Sequence, residues 1–259
     1  MSELAHTRLG DGPRPLALLH GFLGAGRNLT TLARGLAAGA RGYSVHLFDL
    51  PGHGQSPPLP PDANLGTLAR EVLGTVRRLD GSPWTVVGHS LGGRVALEMA
   101  LLEPTMVTHM TLLDITPSAL PPGGETARVV EALVGAPDGA ATRQEFRAWF
   151  TGAGLAPSLT DWLLLNLTRD GDRLRWRIDR QALAALYPRI NAEDLWPAVD
   201  ARGTRVHALR GSLSPYVSDA DCRRLEAAGA RVDTIEGAGH FLHVDRPAET
   251  LDRILKGLS

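Results

Sequence analysis

The stretch with the clearest structural signal is Trp84-Thr85-Val86-Val87-Gly88-His89-Ser90-Leu91-Gly92-Gly93. Its first four residues are apolar or β-branched, as in a buried strand, and a pattern with helical spacing follows its last residue. A serine on a sharp turn between a strand and a helix is typical of a nucleophile elbow. Strand and helix can approach closely because the residues two before and two after the serine are both glycine. We therefore expect Ser90 to be a nucleophile; the alternative is an ordinary turn, which glycine and serine also mark.

Composition argues against several classes of function. The 259 residues carry 27 Lys and Arg against 28 Asp and Glu, a net charge of -1, so the chain has no basic footprint for nucleic acid. The first residues do not resemble an export signal, and no apolar run approaches the roughly 18 residues that cross a bilayer. We therefore expect a cytoplasmic protein without membrane contact. The one cysteine, Cys222, excludes an internal disulfide and lies in a helix-like stretch, where we expect an inert thiol.

Short apolar runs alternate with segments of helical period along most of the chain. This alternation predicts an α/β fold with a mostly parallel central sheet and helices on both faces. Ligands of such sheets bind beyond the carboxyl ends of the strands, which is where the serine turn falls. The predicted strands are residues 16–19, 45–48, 85–87, 110–113, 206–209 and 232–235.

The alternation stops between residues 117 and 201. This segment opens with prolines and glycines, continues with helical spacing, and holds four of the five tryptophans. We expect residues 1–116 and 202–259 to form the core and residues 117–201 to form a helical cap over the site. Trp149 and Trp162 are candidates for lining a substrate pocket, although tryptophans also pack a cap against a core.

A serine nucleophile needs a base to remove its proton. His240 comes just after the last predicted strand and before the final helix, and the glycines around it leave its loop free to reach the serine. His243 is close by in sequence but leads directly into the helix that begins near Pro247. We therefore predict His240 as the base.

The turn after the strand at 16–19 is a candidate oxyanion loop. Its position assigns the backbone N–H of Phe22 as one donor, and the N–H of Leu91, just after the nucleophile, as the other. His20 in the same turn would be a rival base, but we expect it to position the loop. His89 flanks the serine and is expected to line the pocket.

Four motifs in this order resemble the α/β-hydrolase superfamily. They are Leu-His-Gly-Phe-Leu-Gly at 19–24, Asp-Leu-Pro-Gly-His-Gly-Gln-Ser at 49–56, Gly-His-Ser-Leu-Gly-Gly at 88–93 and Gly-Ala-Gly-His at 237–240. The similarity covers the whole chain at plausible spacings. It implies the α/β-hydrolase fold, with a helical cap insertion and a triad of serine, acid and histidine.

The acid departs from the common pattern of that superfamily. Most members carry an aspartate in the loop after the penultimate strand, and the corresponding residue here is Ser214, which cannot hold an anionic partner for an imidazolium. Asp114 ends the strand that follows the nucleophile's strand, at the same edge of the sheet, so we predict Asp114 as the acid; the alternative is a helix or loop cap. Asp219 and Asp221 are the other candidates, although both resemble first-turn residues of a helix.

A narrower resemblance accompanies this displaced acid. Leu-Leu-Asp-Ile-Thr-Pro at 112–117 with Arg-Gly-Ser-Leu-Ser-Pro-Tyr-Val at 210–217 is similar to the YbfF-like esterases, as are Asn-Leu at 166–167 and Arg-Trp-Arg-Ile at 175–178. The resemblance implies substrates that are esters or thioesters of short to medium acyl chains.

Arginine alternates with apolar residues at Arg173, Arg175 and Arg177, which predicts a half-buried strand with one arginine face. We expect that face to be solvated; anion binding is the alternative.

These patterns together predict a serine hydrolase that cleaves a small-molecule ester or thioester through an acyl-enzyme, without a metal or organic cofactor. A first alternative is a lyase of the menaquinone-pathway type, which residues 19–24 and 92–94 also resemble, although that branch carries aspartate at the position of Ser214. A second is a non-catalytic ligand sensor on the same fold. The sequence leaves the oligomeric state open.

Overall fold

A mostly parallel sheet forms the centre of the molecule in the computed structural model, which describes residues 3–121, 123–201 and 203–258. The strands are β1 (His6–Leu9), β2 (Arg14–Leu19), β3 (Tyr43–Phe48), β4 (Trp84–His89), β5 (Val107–Leu113), β6 (Gly139–Ala140), β7 (Leu167–Asp170), β8 (Arg173–Trp176), β9 (Arg205–Gly211) and β10 (Arg231–Ile235). In the described part of the chain, seven of them form the main sheet in the order β1-β3-β2-β4-β5-β9-β10. Only β1 runs antiparallel to its neighbour.

Helices cover both faces of this sheet. They are α1 (Thr30–Gly39), α2 (Leu65–Leu79), α3 (Leu91–Leu102), α4 (Gly124–Gly135), α5 (Arg143–Gly152), α6 (Pro157–Leu163), α7 (Arg180–Asn191), α8 (Trp196–Asp200), α9 (Asp219–Ala227), α10 (Leu242–Asp245) and α11 (Pro247–Leu258). None of the helices in the described ranges has the length and apolar character needed to cross a bilayer.

Alternate residues of the central strands face opposite sides, because strand side chains have a period of two. Leu16 and Leu18 of β2 pack with α1 and α11, whereas Ala17 and Leu19 pack with α2 and α3. Both sets are fully buried, which explains why the parallel strands are continuous apolar runs in the sequence. The predicted α/β-hydrolase fold is therefore confirmed.

The short edge strand β1 was not among the predicted strands. Its sequence, His-Thr-Arg-Leu, pairs with β3 along one side only and stays half exposed. A four-residue edge strand of this kind has no apolar run from which it could be recognised.

The segment between β5 and β9 forms five helices and a small antiparallel sheet in the order β6-β8-β7, within the residues that the structure describes. The predicted strand around Arg173 is present, with Leu174 buried and the flanking arginines exposed. In this segment α6 ends at Leu163, and a short 3-10 helix covers Leu164–Asn166. From Leu167 the chain pairs with β8, and this pairing replaces the helix.

Arg94 on α3 ties this segment to the core. Its buried guanidinium donates to the carbonyl oxygens of Ile190 at 2.7 Å, Ser118 at 2.9 Å and Glu193 at 2.6 Å. Burial lowers the pKa of Arg94 to about 10, which still leaves it charged at neutral pH. The charge is therefore satisfied by backbone carbonyls near both ends of the inserted segment.

Candidate active site

Ser90 lies on the predicted sharp turn between β4 and α3. Its backbone has φ 51° and ψ -116°, a conformation that L-residues rarely adopt and that costs free energy. A side chain at Gly88 would collide with the backbone of Gly92, and one at Gly92 would collide with the carbonyl of Leu19 on β2. The two glycines are thus required for the close approach that the sequence predicted.

Asp114 follows β5 directly and is completely buried. Its Oδ1 accepts a hydrogen bond from the N–H of Gly211 at 2.9 Å. Its Oδ2 lies 2.7 Å from Nδ1 of His240, so this ring nitrogen carries the proton and donates to the carboxylate. The structure therefore brings the predicted acid and the predicted base into direct contact.

Ser214, in the loop after β9, also contacts this carboxylate. Its hydroxyl donates a hydrogen bond to Oδ2 of Asp114. Ser214 occupies the position where the superfamily usually has its acid. Here it donates a hydrogen bond to Asp114, the predicted acid, which follows a different strand. A buried carboxylate needs such partners, because an unpaired charge in the interior is costly.

The two alternative acids point elsewhere. Asp219 pairs with Arg210 at 2.5 Å. Asp221 caps the start of α9 together with Ser218 and accepts a hydrogen bond from Thr116 at 2.8 Å. Both are first-turn residues of α9, as the sequence indicated. In the same helix burial raises the pKa of the Cys222 thiol, in keeping with the expected inert cysteine.

The His240 loop is fixed by backbone contacts on both sides. The N–H of Gly239 donates to Oδ2 of Asp245 at 2.8 Å. Nε2 of His89 donates to the carbonyl of His240 at 2.9 Å. Burial keeps the pKa of His89 well below its usual value, so His89 is a neutral donor that holds the loop beside Ser90.

His20 and His53 hold the loops on the other side of Ser90. Nδ1 of His20 donates to Gly21 O at 2.8 Å, and its Nε2 accepts from the N–H of Leu50 at 3.0 Å. Nε2 of His53 accepts from the N–H of Leu23 at 3.1 Å. Burial lowers the pKa of His20 to about 4 and that of His53 to about 3. Both nitrogens of His20 are occupied by backbone groups, so it positions the loop as expected.

The two predicted oxyanion donors lie at the start of a helix and in a loop. Leu91 is the first residue of α3, whose N–H has no partner within the helix. In the loop after β2, Leu23 donates to His53 and Gly24 donates to Gly21. Phe22 directly precedes these two residues, and within the described residues its N–H has no acceptor. Both N–H groups are therefore available to a ligand.

A cavity of about 330 Å³ contains Ser90 and His240 in its wall. The predicted pocket residues His89 and Trp162 line it, as does Phe22. Its remaining wall is mostly apolar and comes from several elements, with Leu29, Val129, Leu159, Leu165, Phe241 and Val244 as members. Such a cavity suits an apolar group placed next to the serine.

Trp149 is not part of this wall, and the prediction that it lines the pocket is corrected. Its side chain is 41% exposed, and its indole N–H donates to Ala132 O at 3.0 Å. The ring lies over the end of α4 beside Gly135. Trp149 belongs to α5, on which Phe146 and Phe150 are the fully buried aromatic residues. The inward face of α5 therefore carries these two phenylalanines and not Trp149.

The cavity wall also includes Tyr216 and Thr126, which were not singled out from the sequence, and His243, which was considered only as an alternative base. The Tyr216 ring stacks on His240, with 4.1 Å between ring centroids and 28° between planes. Burial lowers the pKa of His243 to about 4, and its ring lies 4.9 Å from that of His89. In the sequence, Tyr216 could have been recognised as a site residue only from its position two residues after Ser214. Among the described residues, no cluster of three or more His, Cys, Asp or Glu could hold a metal ion.

Similarity to known proteins agrees with this geometry. A sequence model of the alpha/beta hydrolase family matches residues 16–253. The chain is 31% identical over 249 residues to the lipase LipV of Mycobacterium tuberculosis, covering 92% of this chain and 91% of that protein. It is 27% identical to the esterase YbfF of Escherichia coli, covering 95% and 93%. Among solved structures, a marine microorganism esterase has a TM-score of 0.87 at 25% identity, covering 98% and 99%.

These matches confirm the resemblance predicted from the motifs, including the similarity to YbfF. The family match spans most of the sequence and includes the segment between β5 and β9. The chain belongs to the alpha/beta hydrolase family.

Proposed function

We propose that this chain hydrolyses carboxylic esters or acyl thioesters of short to medium chain length through a Ser90-Asp114-His240 triad. That it is a carboxylesterase-type hydrolase follows from its family and from relatives named esterase or lipase. The finer assignment depends on one observation: the 2.7 Å hydrogen bond between Asp114 and His240, beside a cavity that contains Ser90.

The geometry supports a two-step mechanism. Asp114 holds the proton on Nδ1 of His240, which leaves Nε2 free to take the hydroxyl proton of Ser90. Ser90 attacks the acyl carbon, and His240 then gives the proton to the leaving alcohol or thiol. Water activated by the same histidine hydrolyses the acyl-enzyme.

The N–H groups of Phe22 and Leu91 would stabilise the oxyanion of each tetrahedral intermediate. Both lie in the turns next to Ser90, and neither is committed to a helix or loop hydrogen bond of the described chain. Fixed donors of this kind act where charge develops and need no reorganisation during the reaction.

The size and lining of the cavity support the proposed acyl-chain length. Its volume of about 330 Å³ is at the lower end of the range typical of ligand pockets, roughly 300–1,000 Å³. Its apolar wall includes Val129 of α4, Leu159 and Trp162 of α6, and Val244 of α10. A short to medium acyl group would fill this space, whereas a long one would extend past Val244, which is exposed.

The test is initial rates on p-nitrophenyl esters from acetate to palmitate, with wild type, Ser90→Ala and the matched control Ser82→Ala. Ser82 lies in the loop before β4, away from the cavity. We expect Ser90→Ala to lose at least about a thousandfold in kcat, Ser82→Ala to keep wild-type rates, and the optimum to lie below the longest chains. Full activity of Ser90→Ala would contradict the mechanism. No turnover of any ester would instead favour the lyase or the ligand sensor.

A further inference from the structure

The aromatic ring of Tyr216 is the closest ring partner of His240. The two ring centroids are 4.1 Å apart and the planes differ by 28°, so the phenol covers one face of the imidazole. The rings of His89 and Phe241 also approach His240, but their centroids are 4.8 and 5.4 Å away and their planes are more strongly tilted.

The phenol hydroxyl of Tyr216 is bonded to the inserted segment. It lies 2.7 Å from Oγ1 of Thr126, in the first turn of α4, and both residues line the cavity. Burial raises the pKa of Tyr216, so the hydroxyl keeps its proton and the hydrogen bond persists through the neutral range. One residue therefore contacts both the candidate base and a helix of the segment that covers the site.

The backbone of Tyr216 is tied to the same acid. Its N–H lies 3.3 Å from Oγ of Ser214, whose hydroxyl donates to Asp114. In the loop after β9, the side chain of Ser214 therefore contacts the carboxylate of Asp114, and the side chain of Tyr216 contacts the face of His240. Substitution of the Tyr216 side chain leaves the backbone N–H in place, so the two contributions can be separated by mutation.

We propose that Tyr216 is a positioning residue for His240, and that Thr126 of α4 holds its ring in the stacked orientation. This inference rests on the proposed triad. The face of an aromatic ring attracts a cation, so the stacked phenol favours the imidazolium that forms when His240 takes the proton of Ser90. The flat contact also limits rotation of the imidazole, which keeps Nδ1 on Asp114 and Nε2 on the opposite side of the ring.

Several other titratable groups surround His240. Asp114 at the end of β5 accepts the hydrogen bond from its Nδ1, and His89 on β4 donates to its backbone carbonyl. The groups that face His240 or its loop are Asp114, Tyr216, His89 from β4, His243 and Asp245 from α10, and Glu125 from α4. Variants at Tyr216 leave all the other groups unchanged, so a shift in pH dependence would report on the ring.

The test compares Tyr216→Leu, Tyr216→Phe and Thr126→Val on the best p-nitrophenyl ester, with kcat and KM measured from pH 4.5 to 9. For Tyr216→Leu we expect kcat to fall about tenfold with KM changed less than about twofold. The acid limb of the kcat/KM profile should move about half a pH unit downward, because the protonated imidazole of His240 loses its stacked phenol.

The remaining variants distinguish the effect of the stacked Tyr216 ring from that of the hydrogen bond between its hydroxyl and Thr126. Tyr216→Phe keeps the stack, so its acid limb should match wild type while kcat falls about threefold. Thr126→Val should have the same effect. The double variant with Tyr216→Phe and Thr126→Val should have a kcat no lower than that of either single variant. Tyr43→Phe is the matched control, since Tyr43 lies on β3 under Arg14 and outside the cavity. Thermal melting confirms that each variant is folded.

The outcomes are distinguishable from failure of the proposed function. If wild type turns over no ester, or if Ser90→Ala stays active, the triad is wrong. If turnover depends on Ser90 but Tyr216→Leu keeps wild-type kcat and acid limb, the positioning role is overturned. A rise in KM alone, without a change in the acid limb, would also overturn it, because Tyr216 would then act only as cavity wall.

Discussion

At the scale of single residues, Asp114 is the centre of the site. Its buried carboxylate receives donors from the backbone of Gly211, the hydroxyl of Ser214 and the ring of His240. Several donors fix the orientation of a carboxylate, which is what an acid partner of histidine requires. The proposed acid therefore has three hydrogen-bond donors without a carboxylate at position 214.

Replacing Ser214 tests this support directly. Ser214→Ala removes one donor from Oδ2 of Asp114 while leaving the bond to His240, so we expect kcat to fall about threefold to tenfold with little change in KM. Ser214→Thr keeps a hydroxyl and should recover most of the loss. Steady-state kinetics on one ester measure both. Wild-type kcat in Ser214→Ala, or no recovery in Ser214→Thr, would show that the hydroxyl does not support the acid.

Residue types predicted the members of the site better than they predicted the contacts among them. Ser90, Asp114 and His240 could be selected because each follows an apolar strand and carries a chemically suitable group. Ser214 was correctly identified as unable to be the acid, yet its hydrogen bond to Asp114 depends on a side-chain direction that sequence does not encode. Trp149 shows the same limit, since helical spacing cannot decide which side of α5 faces the cavity.

At the scale of elements, the loops after β2, β4 and β5 share one unusual feature. Among the described residues, the non-glycine positions with positive φ are Leu23, Ser90 and Asp114, one in each of these loops. Such conformations cost about 1–3 kcal/mol each and persist where the surroundings impose them. Glycine neighbours revealed the turn at Ser90, whereas no local pattern marks the other two.

The loops after β2 and β3 are joined by neutral histidines, which predicts acid sensitivity. The pKa of His20 is lowered to about 4 and that of His53 to about 3, against about 6.5 in an unfolded chain. The unfolded state therefore binds more protons between these values. The stability contribution is complete above about pH 6.5 and is lost as the pH falls toward the folded values.

Urea unfolding at intervals from pH 7 to pH 5 measures this effect. Below about pH 6.5, each histidine should lower the free energy of unfolding by up to about 1.4 kcal/mol for every unit by which the pH falls. His53→Gln removes one titrating group, so its slope should be shallower by about one proton. A free energy of unfolding that is constant from pH 7 to pH 5 would contradict the neutral, buried state of these rings.

At the scale of the whole molecule, the parallel sheet assembles residues that are far apart in sequence. The candidate oxyanion loop, the serine turn, the proposed acid and the proposed base all follow strands whose carboxyl ends meet at one edge. This arrangement could be predicted because alternating strands and helices imply a parallel sheet. The cavity wall could not, since it depends on how the segment between β5 and β9 packs over that edge.

The inserted segment also has a structure that periodicity only partly indicated. Its helical pattern was recognised, but β6 joins the small sheet by pairing with β8 across more than 30 residues, as in Ala140 with Leu174. Such pairing leaves little trace in a local window. Division of the chain into a core of 1–116 and 202–259 and a cap of 117–201 remains a prediction.

The identity of the acid is the central claim, and the most direct measurement is kcat/KM of Asp114→Asn beside Asp219→Asn on the best ester. Both changes remove one negative charge with little change in shape, but only Asp114 contacts His240. We predict a loss of at least about a hundredfold for Asp114→Asn and near wild-type activity for Asp219→Asn, with both proteins folded by thermal melting. Activity of Asp114→Asn within twofold of wild type, or an equal loss in Asp219→Asn, would contradict the proposed triad.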